Sequence, residues 1–125
     1  MAANAQELAL RYLLALSGDV RSAMLLTETG ELLASAPGSA GEPASVDARE
    51  LIEATLGFRN GGAEAVELDI LCTRESVFVL VDRGLAMVCV ADRLALPGIV
   101  LHEMRVVLGD LAEGGESATL RKEQA

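Results

Sequence analysis

Residues with reactive side chains are few and widely spaced in this sequence. His102 is the only imidazole, so any serine or cysteine nucleophile would need it as its base. It stands beside Glu103 at the outer border of a helix-patterned segment, a position that predicts a solvated side chain, not a catalytic one. The carboxylate pairs Glu50 with Glu53 and Asp110 with Glu113 fall at i, i+3 on polar helix faces and read as hydrated surface charge. Cys72 and Cys89 each sit inside a strongly apolar, strand-like run. With a single histidine no metal-ligating cluster can be assembled around them, and both read as reduced, buried thiols. Gly61-Gly62 follows a helix pattern and precedes a strand pattern, the reverse of the order that cradles a phosphate at a helix start. Lys122 is the only lysine, and neither Gly-Lys-Ser nor Gly-Lys-Thr occurs, which argues against nucleotide binding. Arg74, Arg83 and Arg93, near strand ends, are candidates for a cationic finger on a transferring phosphate, but Asp69, Asp82 and Asp92 are expected to pair with them. No catalytic, cofactor-binding or metal-binding residue emerges, and the expectation is a protein that is not an enzyme.

The elements that would position these groups are legible from periodicity. Apolar residues at 8, 9, 12, 13 and 16 predict a helix over 5–17, ended by Ser17-Gly18-Asp19. Strands follow at 20–27 and 32–35, joined by the turn Glu28-Thr29-Gly30-Glu31, and 36–45 with its prolines and glycines reads as a long loop. Asp47 and Glu50 form a capping-box pattern that opens a second helix over 48–59, stopped by Asn60-Gly61-Gly62. Three strands are predicted at 65–72, 76–82 and 85–91, with turns at 73–75 and Arg83-Gly84. Pro97-Gly98 opens a closing helix over 99–111, and 113–125 reads as a polar, frayed tail.

Val77–Val81 and Leu85–Ala91 do not alternate apolar with polar, so both faces of these strands must be covered. Three helices can do this for one five-stranded sheet as two against one. In the third strand Val66, Leu68 and Ile70 alternate with Glu67 and Asp69, the pattern of an edge strand with charges on one face.

With 125 residues there is room for one domain, here 5–112, and 51% hydrophobic residues against 2% aromatic require a core of Leu, Val, Ala, Ile and Met. A net charge of −9, with the ten cations scattered, disfavours nucleic acid and anionic membrane surfaces and favours a partner with basic patches. No apolar run reaches the ~18 residues of a membrane span, and no secretory pattern opens the chain, so a cytoplasmic address is expected.

In this order of elements the stretch Ala23-Met24-Leu25-Leu26-Thr27-Glu28-Thr29-Gly30-Glu31-Leu32-Leu33-Ala34, an apolar strand, an acidic glycine turn and a short return strand, resembles the hairpin of the roadblock/dynein light-chain family. Leu96-Pro97-Gly98-Ile99-Val100-Leu101-His102-Glu103-Met104 is similar to the segment that opens the last helix of bacterial members. The resemblance, over roughly 5–112, implies a profilin-like α/β/α sandwich with a five-stranded antiparallel sheet in the order α-β-β-α-β-β-β-α. It implies a homodimer in which the third strands pair across a twofold axis and the second helices meet. Carried onto this chain, that interface is Val66, Glu67, Leu68, Asp69 and Ile70 with Ala48, Ile52, Thr55 and Arg59. The alternative is that Glu67 and Asp69 guard the edge against pairing. The family's sheet order would also set Cys72 and Cys89 two strand spacings apart, too far for a disulfide.

The function implied is binding of a small Ras-like GTPase, acting on its switches without an arginine finger and without a cofactor. Two other readings stay open. One is an assembly scaffold in a sensor-kinase or motor-type complex, without effect on GTP turnover. The other is a sensory profilin-like or PAS-like module, weakened because only Tyr12, Phe58 and Phe78 could line a ligand cavity.

Overall fold

The computed structural model describes residues 5–36, 48–57, 65–71 and 74–112. Its elements are α1 (Ala5–Leu16), β1 (Val20–Thr27), β2 (Leu32–Ala36), α2 (Ala48–Leu56), β3 (Ala65–Leu71), β4 (Glu75–Asp82), β5 (Leu85–Asp92) and α3 (Pro97–Ala112). The five strands form one sheet in the order β2-β1-β5-β4-β3, with every neighbouring pair antiparallel.

Strand alternation sorts the apolar side chains into two cores. Ala23, Leu25, Phe78, Leu80, Met87 and Cys89 meet Leu10 and Leu13 of α1 and Val100, Met104 and Leu108 of α3. On the other face Met24, Leu26, Val77, Val79, Val81, Val88 and Val90 meet Ile52 of α2. The uninterrupted apolar runs thus occupy β4 and β5, flanked by strands on both sides and by side-chain layers above and below. Two helices cover one face and one covers the other, as the run pattern requires.

Element ends depart from expectation where pairing outweighs propensity. β2 extends to Ala36 because that residue pairs with Ala23, and β4 and β5 each gain a residue because Glu75 pairs with Asp92. Glu75 is therefore in a strand and not in a turn. α3 begins at Pro97, whose fixed φ suits a first helical position, and Val100 N–H donates to Leu96 O at 3.1 Å. α1 ends at Leu16 and α2 at Leu56, before Gly57. The cap residue Asp47 and the stop signal at 60–62 lie outside the described residues.

Two turns meet at one end of the sheet. Arg83 and Gly84 both have positive φ, 56° and 83°, the backbone of a two-residue hairpin loop whose twist matches the strands. Gly84 N–H donates to Glu28 Oε2 at 3.1 Å, and Glu28 N–H donates to Gly84 O at 3.3 Å, tying this loop to the β1–β2 turn. A Cβ at Gly84 would meet nothing within 4 Å, so substitution there tests backbone conformation alone. Gly84→Ala is expected to lower unfolding free energy by about 1–2 kcal/mol in urea titrations. Gly109→Ala, equally open but inside α3, is expected to raise it by about 0.5–1 kcal/mol.

Candidate functional site

Among the described residues, side chains with reactive potential stay apart; Glu113, the expected partner of Asp110, lies outside them. His102 is exposed on α3, and Glu50 and Glu53 are exposed on α2. Among the described residues no three of His, Cys, Asp and Glu gather as metal ligands would. Cys89 is wholly buried in the α1/α3 core, and burial pushes its thiol far above the ordinary range. Cys72, and with it the separation of the two cysteines, lies outside the described residues. The arginine pairings are partly as expected: Arg83 lies 3.9 Å from Asp82, but Asp92 is held by Arg21 at 3.6 Å and its Oδ1 accepts from Leu94 N–H.

The open feature of the fold is the β3 edge. β3 pairs on one side with β4, from Ala65↔Asp82 to Leu71↔Ser76, and no strand of the described residues lies beyond it. Val66, Leu68 and Ile70 face the α2 layer, Val66 buried and the other two half-buried. Glu67 and Asp69 are exposed on the opposite face, where Arg105 of α3 donates to Glu67. That contact makes Glu67 an internal ion-pair partner.

Residues from α2 divide differently from the sequence expectation. Ile52 and Thr55 are fully buried within the chain, and Thr55 Oγ1 donates to Leu51 O at 2.7 Å. Both serve the packing of α2 on its own sheet and present no surface to a mate. Ala48 is half-buried, and Arg59 lies outside the described residues. Leu51 is absent from the interface expected from sequence, but the helix geometry brings it forward. The Arg49 side chain crowds Gly30 in the β1–β2 turn, where a Cβ would approach its Nε to 2.9 Å. Arg49 therefore marks the flank of α2 nearest β1 and β2. Leu51, two residues on and so about 160° around the helix, lies on the flank toward β3, half-buried. Leu51, Leu68 and Ile70 thus adjoin the open edge; the sequence signal for Leu51 is its apolar character one position off the buried stripe.

Comparison with known proteins identifies the fold. No protein-family model matches the sequence, and no curated protein is similar to it at a significant level. Solved structures do match. Over 94% of this chain and 95% of the other, it is similar to MglB with a tetrameric arrangement, at 21% identity and a TM-score of 0.67. The roadblock/LC7 domain from Streptomyces avermitilis matches at 18% identity and TM-score 0.63, over 84% of this chain and 92% of that one. Acanthamoeba castellanii profilin IA matches at 19% identity and TM-score 0.61, over 87% and 98%. The chain has the fold that roadblock/LC7 domains share with profilin, as the hairpin and helix-opening segments indicate. The gliding protein MglB from Thermus thermophilus carries the same fold, at 19% identity over 90% of each chain and a TM-score of 0.67.

The buried thiol has a measurable consequence. A thiol whose folded pKa exceeds its unfolded value, about 8.5, supports the folded state fully below that pH and withdraws support as pH rises above it. Stability measured in urea is expected to fall by up to about 1.4 kcal/mol per pH unit above 8.5 from this group. Cys89→Ala is expected to flatten that slope, and iodoacetamide at pH 8 to leave Cys89 unmodified until the chain is unfolded.

Proposed function

We propose that this protein is a non-catalytic homodimeric regulator that binds a small Ras-like GTPase and biases its nucleotide state. The observation that carries the dimer is the half-buried pair Leu68 and Ile70 on an open edge strand, beside the Leu51 flank of α2. An edge with unpaired backbone groups and apolar side chains is an aggregation hazard unless covered, and antiparallel pairing with a twofold mate covers it within a closed assembly. In such a pair the sheet continues through both subunits and the two α2 helices lie side by side over the junction. Among the described residues the surface available to the mate is then Ala48 and Leu51 of α2 with Glu67, Leu68, Asp69 and Ile70 of β3.

The GTPase reading rests on the roadblock resemblance and on the fold shared with MglB, the gliding protein of Thermus thermophilus. A regulator of this kind acts by contacting the two switch conformations of its partner unequally, which needs surface and no reactive group. The acidic surface, −9 per chain, matches a partner with basic patches.

Sedimentation velocity tests the dimer. The chain is expected to sediment as a dimer that tightens with added salt, because each subunit brings negative charge. Leu68→Lys with Ile70→Lys is expected to give a folded monomer; a dimer that survives both changes rules out the β3 edge. The regulator is tested by GTP hydrolysis and nucleotide exchange of a co-encoded Ras-like GTPase with and without this protein. A stable complex with unchanged turnover would leave an assembly scaffold as the function.

A further inference from the structure

Nine large apolar side chains are exposed among the described residues, and six of them lie on or just before the helices of one layer. Leu8, Tyr12 and Leu16 recur every fourth residue along the outward side of α1. Leu96, just before α3, and Ile99 and Val106 on it follow, with Glu103 and Asp110, the 3-4-3-4 spacing of a helix-docking seam. All six are between 48% and 61% exposed. α1 packs beside α3 on the sheet face opposite α2, so these stripes share one surface, remote from the α2 layer. Its regular spacing sets it apart from apolar side chains exposed singly.

A carboxylate lies within this apolar seam. Arg105 reaches Glu67 on β3, which fixes that flank of α3 toward the sheet edge. Glu103, two residues earlier and about 160° around, lies on the flank toward α1. Its Oε1 is shielded from solvent and receives no hydrogen bond among the described residues. A shielded carboxylate oxygen without a donor is costly, and a cationic donor supplies the strongest remedy.

We propose that the α1/α3 face binds an amphipathic helix of a partner protein, apolar at 3-4 spacing, with an arginine or lysine at its centre that donates to Glu103. The apolar anchors supply contact area and the central cation supplies orientation. Charge selects this occupant over a second copy. A twofold self-contact on this face would bring two seams carrying Glu103 together, between chains of net charge −9. The proposal does not depend on the β3 edge, since the two surfaces lie on different sides of the sheet.

The test uses the full chain and two synthetic helical peptides with leucines at 3-4 spacing, one with a central arginine and one with glutamate there. Titration followed by amide chemical shifts is expected to show the arginine peptide perturbing α1 and α3, with at least about tenfold tighter binding than its twin. Glu103→Gln is expected to bring the two peptides within about threefold of each other, and Ile99→Ser to weaken both. Circular dichroism of the two variants checks that they fold, and Tyr12→Ser, at an exposed site, gives an independent loss of binding. Equal affinity of the two peptides for the unaltered chain, or shifts centred on α2 and β3, overturns the proposal. So does a change in particle mass on Tyr12→Ser without peptide, which would make a second copy the occupant. Binding that appears only after removal of 116–125 would make the chain's own end the occupant and overturns it too.

Discussion

Two adjacent strands that are apolar on both faces dictate the rest of this molecule. β4 and β5 carry Val77 to Val81 and Ala86 to Ala91 without a polar interruption, and every one of these residues is buried. A strand like this is stable in water only with a neighbour on each side and a side-chain layer on each face. β1 and β3 supply the lateral neighbours, α1 and α3 one layer, and α2 the other. At about 25 cal/mol per Å² of apolar surface removed from water, the drive to complete both layers exceeds anything the exposed ion pairs contribute. Arg83 with Asp82, Arg21 with Asp92 and Arg11 with Glu7 all sit in solvent and tune the surface without deciding the fold.

The same constraint explains which parts are legible in the sequence. Loss of alternation in β4 and β5, and its return in β3 through Glu67 and Asp69, tells interior strands from edge strands without coordinates. Helix periods at 8, 9, 12, 13 and 16 locate α1, although the stripe has two readings: Leu13 is buried while Leu8, Tyr12 and Leu16 are exposed. Periodicity reports that a face is apolar and not which of two adjoining apolar faces the sheet takes. The ends are less legible because they depend on cross-strand partners: Ala36 is a strand residue by virtue of Ala23, and Glu75 by virtue of Asp92.

The interface expectation shows a different limit. Ile52 and Thr55 share the apolar stripe of α2, which suggests contact with a mate, yet a nine-residue helix has one stripe, and its own sheet claims it. What remains for another molecule is the border of that stripe, where Leu51 lies, and the fringe of the sheet, where Leu68 and Ile70 lie half-covered. Glu67 shows the same competition between internal and external partners. Read from its strand it is a guard charge; placed beside Arg105 it is already neutralised within the chain, a coupling of residues 38 positions apart that no local pattern encodes.

The two faces of the sheet consequently offer different kinds of surface. The outward side of α2 is polar, with Arg49, Glu50 and Glu53 exposed, so among the described residues apolar surface on that face lies at its borders, in the strip between α2 and the β3 edge and at Leu32 on β2. The outward side of the α1/α3 layer carries apolar side chains over much of its length, interrupted on α3 by Glu103 and Asp110. Two helices laid side by side need only their inner faces to cover the sheet, so their outer faces are under no folding requirement to be apolar. Leu8, Tyr12, Leu96, Ile99 and Val106 add little to the core and raise the hazard of nonspecific association. Apolar residues that folding does not require, at regular spacing and around a carboxylate with one shielded oxygen that has no donor among the described residues, point to selection by something outside the fold.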